Sequence, residues 1–165
     1  MWKAIRHGLM FLLCLVVFLL TACQGDEVCE DQTSNDLRLR FYLAGAETES
    51  PISIDSLIIF GLGNEHDLIY NGEDAVSLAG LPMDPGSDSC GFVLVAGNRR
   101  DTLMISYNRE VHFLSAECGF TMFFHILEKE YTSNLIDTVV VSNPLVSNVF
   151  NEHIKVFMVA VDHDL

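Results

Sequence analysis

The sequence predicts an all-β domain folded as a two-layer sandwich. Short apolar runs recur from residue 37 onward, turn residues separate them, and no stretch carries a convincing helical stripe. Leu37-Arg-Leu-Arg-Phe-Tyr-Leu43 alternates apolar and basic residues with the period of a half-buried strand. Ser53 to Gly61 is a β-rich run closed by Gly61-Leu62-Gly63, and Val76 to Leu78 is a short piece stopped by Pro82, Pro85 and Gly86. Gly91 to Ala96 and Asp101 to Tyr107 flank Gly97-Asn98-Arg99-Arg100, a hairpin signal, and Val111 to Leu114 extends the same sheet. The stretch from Phe120 to Leu127 fits two periods. Phe120, Phe123, Phe124 and Leu127 make a helical stripe, whereas Phe120, Met122, Phe124 and Ile126 make a strand face. Its aromatic content and the preceding Cys118-Gly119 favour a strand, one covered on both faces. Leu135 to Ser142 and His153 to Val161 supply the last two strands. Seven to nine antiparallel strands over residues 37–165 define an immunoglobulin-like β-sandwich.

Residues 1–22 stand apart from this domain. Met1 to Gly8 carries Lys3 and Arg6 and no acid, and Leu9 to Leu20 is uncharged. A basic head before a short greasy run is the pattern of a secretory signal. Twelve residues in a helix span roughly 18 Å, too little for the ~30 Å hydrocarbon core of a bilayer. Leu20-Thr21-Ala22-Cys23 resembles the lipobox of bacterial lipoproteins, in which small residues admit the signal peptidase and a cysteine thiol takes diacylglycerol. That resemblance implies lipidation of Cys23, and two or three acyl chains hold a protein on a membrane where one does not. The plainer alternative is an ordinary secretory signal with a cysteine at its cleavage point.

Without residues 1–22 the chain has 143 residues, 7 basic and 23 acidic side chains, and a formal charge of −16. So acidic a chain is unsuited to nucleic acid, whose phosphates require clustered Lys and Arg. Mean hydropathy of +0.31 and 50% apolar residues exclude a wholly disordered chain. Residues 23–36 are polar and acidic and read as a tether. Asp26, Glu27, Glu30 and Asp31 also resemble the acidic signal that sends Bacteroidota lipoproteins to the outer face of the outer membrane. A solvated tether suits the same residues, and both readings stay open.

Cys14 leaves with the signal and Cys23 takes lipid, so Cys29, Cys90 and Cys118 remain. Three thiols allow three single bridges, and an exported location permits one. Cys29–Cys118 is favoured, because Cys29 sits just before the first strand and a bridge there pins a fraying terminus to a central strand. Cys90 is then a buried free thiol.

A lipobox followed by Cys29, the Phe41-Tyr42 strand end, Ile52-Ser-Ile-Asp-Ser-Leu-Ile-Ile-Phe-Gly-Leu-Gly63, Asp101-Thr-Leu-Met-Ile-Ser-Tyr107, Phe113-Leu-Ser-Ala-Glu-Cys-Gly119, Ile136-Asp-Thr-Val139 and Asn151-Glu-His-Ile-Lys-Val-Phe157 resembles a family of small Bacteroidota lipoproteins catalogued only as a domain of unknown function. The resemblance covers essentially the whole chain after the signal and implies no catalytic residues. Its two cysteines match Cys29 and Cys118, and Cys90 has no counterpart.

Signals for chemistry are weak. His7, His66, His112, His125, His153 and His163 include no i, i+4 pair, and there is no Cys-x-x-Cys, so no metal site is expected. His112 with Cys118 as base and nucleophile is less economical than a disulfide at Cys118. Asn64-Glu-His-Asp67 and Asp84-Pro-Gly-Ser-Asp88 read as polar turns in preference to calcium loops. Glu128 and Glu130 read as a solvated strand end, and no nucleophile elbow, phosphate loop or dinucleotide fingerprint is present, so no cofactor is expected. Asp55-Ser56-Leu57, Asp101-Thr102-Leu103 and Asp137-Thr138-Val139 resemble the O-glycosylation acceptor of exported Bacteroidota proteins, which would make Ser56, Thr102 and Thr138 modification sites. Alternatively, Asp-Ser/Thr simply opens strands after turns. The expectation is a non-catalytic outer-membrane lipoprotein, on its periplasmic or cell-surface face. It is held by lipid at Cys23 and binds or assembles with an envelope partner such as a membrane barrel. The alternative is an envelope hydrolase acting on glycan or peptide through loop carboxylates.

Overall fold

The computed structural model describes Cys29 and residues 35–160 apart from Glu73. The chain divides into two compact units, Met1–Glu30 and Asp31–Leu165, and of the first only Cys29 is described. Residues 1–22, read above as a signal, Cys23, and residues 24–28 and 30–34, read as a tether, lie outside the described residues.

The described residues are all-β and form ten strands: β1 (Leu37–Leu43), β2 (Ile58–Gly61), β3 (Leu68–Asn71), β4 (Leu78–Leu81), β5 (Ser89–Ala96), β6 (Arg99–Ser115), β7 (Gly119–Tyr131), β8 (Ile136–Val141), β9 (Leu145–Val146) and β10 (Ile154–Met158). They make a four-stranded sheet in the order β4-β1-β10-β8 and a six-stranded sheet in the order β3-β2-β5-β6-β7-β9. Pairing is antiparallel throughout except between β1 and β10, which run parallel with Leu39 opposite Ile154.

Alternation along the strands assembles one core from both sheets. Leu37, Leu39 and Phe41 of β1, Ala79 and Leu81 of β4 and Ile154, Val156 and Met158 of β10 come from the small sheet. Phe92 and Leu94 of β5, Leu103, Ile105 and Tyr107 of β6 and Phe124 and Ile126 of β7 come from the large one. The intervening residues face outward: Arg40 pairs with Glu152 at 2.9 Å, and Tyr42 donates its hydroxyl to the same carboxylate. A period of two with one apolar face is what a two-layer packing requires.

Several expectations need correction. The run beginning at Ser53 becomes a strand only at Ile58, because Asp55-Ser56 turns the chain and Ser56 takes a φ of 56°. The Val76 piece is a strand from Leu78 to Leu81, preceded by an isolated bridge from Val76 to Ile54. The last strand stops at Met158, short of Val161. Ten strands replace seven to nine, because β3 and the two-residue β9 carry little periodic signal. β7 is a strand, as its aromatics indicate, yet it is not covered on both faces: Phe120 is 72% exposed and Leu127 is 54% exposed.

Candidate interaction surface

The long hairpin formed by β6 and β7 outruns its own sheet. β5 pairs with β6 only from Ala96↔Arg99 to Ser89↔Ser106, whereas the β6–β7 ladder continues to Ser115↔Gly119. On the other side β9 pairs only with Phe124 and His125. Residues 108–115 and 119–123 therefore form a two-stranded arm. Arg109 braces its base, donating to the Pro85 carbonyl at 2.6 Å and pairing with Asp88 at 2.7 Å.

The arm carries the core face of the large sheet past the sandwich. In β6, Leu103, Ile105 and Tyr107 point inward, and the same parity brings Val111 and Phe113 to that face. In β7 the buried Ile126 and Phe124 are followed by Met122 and Phe120. Val111 is opposite Met122 and Phe113 opposite Phe120, with those two rings 5.2 Å apart. Val111 is 61% and Phe113 60% exposed, because no strand of the small sheet reaches them. The opposite face carries His112 stacked on Phe123, ring centroids 4.1 Å apart, with Nε2 3.4 Å from Glu110. A groove of about 720 Å³ runs along the arm base between Asp88, Arg109, Val111, Met122 and Leu145.

The chain enters the domain beside this arm. Asn35 donates to the Thr121 hydroxyl at 2.9 Å and to the Met122 carbonyl at 2.6 Å. Three residues on, the Arg38 guanidinium lies 4.4 Å from the centre of the exposed Phe150 ring. A second concavity of about 820 Å³ lies at the other end of β1 and β10, lined by Leu43, Ile54, Ser56, Arg99 and Met158.

Of the residues singled out in the sequence, Cys29 and Cys118 are both disulfide-bonded, and Cys90 is a free cysteine. Cys118 therefore offers no thiolate to His112. Cys90 is half-buried, not buried as expected, with its sulfur 3.8 Å from that of Met83. Burial pushes its thiol up to about 11, against a smaller downward pull from the Tyr107 hydrogen bond. Ser56 and Thr138 are exposed, and the Thr138 hydroxyl donates to Asp137 at 2.8 Å. Thr102 is half-buried inside β6. Cys23 lies outside the described residues.

The carboxylates of the two acidic turns, residues 64–67 and 84–88, are engaged separately. Glu65 pairs with Arg100, Asp88 pairs with Arg109, and Asp84 accepts from the Gly86 amide at 2.7 Å. No cluster of three or more His, Cys, Asp or Glu is placed to hold a metal among the described residues.

Sequence reasoning missed the role of Asp101. Its buried carboxylate accepts from the Thr132 hydroxyl, the Asn134 side-chain amide and the amides of Asn134, Leu135 and Ile136, all between 2.5 and 3.0 Å. Burial alone would raise its pKa, but these hydrogen bonds outweigh it and hold the group below its ordinary value. Asp101 thus fastens the β7–β8 connection onto β6. The Thr132-Ser133-Asn134 turn cluster was the available signal.

Fold and surface together define a class: an all-β, two-sheet domain with an aromatic arm. Within that class the chain belongs to DUF6452, a family of unknown function, whose model matches residues 56–158. No curated protein and no solved structure shows a significant match.

Proposed function

We propose that the protein is a non-catalytic lipoprotein of the outer membrane, an immunoglobulin-like sandwich preceded by a signal peptide and an acidic tether. Acyl chains on Cys23 hold it on the periplasmic or cell-surface face, and it binds or assembles with another envelope component, of which an outer-membrane barrel is one. The observation that carries the binding role is the uncovered aromatic face of the arm, Val111, Phe113 and Phe120. A contiguous apolar patch left exposed beside a packed core marks a protein or membrane interaction site. The sequence supports the anchor through its lipobox.

A photo-reactive amino acid at Phe120 tests this in living cells. The expected result is a crosslink to an envelope component that the same probe at Leu43, at the far end of β1, does not give. Equal labelling from both positions, or from neither, contradicts the assignment of the arm as the binding surface.

A further inference from the structure

We infer that the component covering the arm is the lipid headgroup layer itself, so that the domain stands on the membrane on its Phe113–Phe120 tip. This refines the binding role and rests on the proposed lipid anchor at Cys23. Three features of the chain argue for lipid over a protein partner.

The first is where the polypeptide enters. Asn35 is fastened to Thr121 and Met122, directly beside Phe120. Cys23 lies twelve residues earlier, so an extended tether spans at most ~43 Å. The second is the pair of half-cystines. Cys118 lies in the turn at the arm tip, Cys29 is six residues after Cys23, and both are disulfide-bonded. Joined to one another, they shorten the leash to six residues, or ~21 Å. The tip is then held at the lipid surface at an effective concentration that makes even a weak apolar contact persist.

The third feature is the chemistry of the tip. Two phenyl rings and a valine share one face of a β-ladder whose backbone is already paired between its strands. Such a hairpin can lay its ring face in the interfacial zone of a bilayer, where headgroups and water satisfy the two outer edges that neither β5 nor β9 covers. Phe150 adds another exposed ring where the chain enters, against the Arg38 guanidinium. The net charge of −16 after the signal disfavours anionic headgroups, which makes zwitterionic lipid the expected partner.

The mature chain lacks tryptophan, since Trp2 lies in the signal, so Phe120→Trp is a single-site reporter. The full chain bearing this change is extracted with its lipid and reconstituted into phosphatidylcholine–phosphatidylethanolamine vesicles with brominated acyl chains. Emission that is blue-shifted and quenched several-fold is expected, with Leu43→Trp giving no quenching. Unquenched emission from a vesicle-bound Phe120→Trp protein overturns the inference and leaves the anchor standing. A blue shift without quenching also overturns it, in favour of a protein or second copy on the arm. A chain that floats free of vesicles with an unmodified Cys23 removes the anchor, and the inference falls with it. Phe113→Trp repeats the measurement on the facing strand.

Discussion

Replacing Asp101 with Asn keeps the shape of the side chain and tests whether the carboxylate is what closes the β7–β8 connection. One Asp101 oxygen accepts from the buried Leu135 and Ile136 amides, and the other from the Thr132 hydroxyl and Asn134 side chain. An amide can present oxygen to only one of these sets. The amide oxygen keeps the buried Leu135 and Ile136 donors, and its NH₂ then faces the exposed Thr132 hydroxyl, which can turn to accept, and the exposed Asn134 side chain. With the charge-assisted bonds reduced to neutral ones and the Asn134 side chain left to water, Asp101→Asn lowers stability by about 2 kcal/mol, a sizeable part of the 5–15 kcal/mol typical of a domain. Urea denaturation followed by circular dichroism reads this as a midpoint lower by about 1 M, for a slope near 2 kcal/mol/M. A midpoint within about 0.3 M of the natural protein would refute the assignment. The pH dependence supplies a second readout. A carboxyl held below its unfolded value stabilises the fold above that value and loses its contribution as pH falls through the folded pKa. The natural protein therefore loses this component below about pH 4, and the variant has none to lose.

Three further outcomes follow. His153 is fully buried, accepts from the Arg38 amide at 3.0 Å, and is pushed by burial, and secondarily by Arg38, down to about 4. The unfolded chain therefore binds more protons between about pH 6.5 and 4, and stability is full above that window and falls within it by about 1.4 kcal/mol per pH unit. His153→Asn, whose carbonyl can still accept from Arg38, should flatten that slope, and an unchanged slope counts against it. Peptide mapping without reduction should find Cys29 and Cys118 in one linkage, closing a loop of about 90 residues worth up to ~4.6 kcal/mol by chain entropy. Cys90 should alkylate slowly at pH 8 in the folded protein, and a Cys90 bridge contradicts the assignment. If the Asp-Ser/Thr motifs are glycosylated on the folded chain, glycan mass should disappear with Ser56→Ala and Thr138→Ala. Thr102→Ala should leave it unchanged, because Asp101 of that motif is buried.

Much of the fold was legible because alternation is a local property. β1, the β5–β6 hairpin and the strand character of β7 all follow from periods written within a few residues. β3 was invisible because Leu68-Ile69-Tyr70-Asn71 is partly exposed and owes its place to β2 and to Tyr70, whose hydroxyl accepts from the Gly80 amide. The arm posed the opposite difficulty. Past Arg109, Val111 and Phe113 resume the core pattern of β6, as Met122 and Phe120 do that of β7, so their sequence reads as interior. Their exposure is decided by where the facing sheet ends, which no local window contains. Asp101 was legible as a motif residue but not as a hub, because its partners lie more than thirty residues away.

The lipid proposed on Cys23 underlies both the location and the orientation proposed for this domain. Intact-mass and N-terminal analysis of the protein extracted from the membranes of the cells that make it tests this most directly. Cys23 should be the first residue and carry a diacylglyceryl thioether, with residues 1–22 removed. A mature chain that starts elsewhere, or one whose Cys23 bears no acyl mass, contradicts the lipid anchor and with it the placement of the arm on a bilayer.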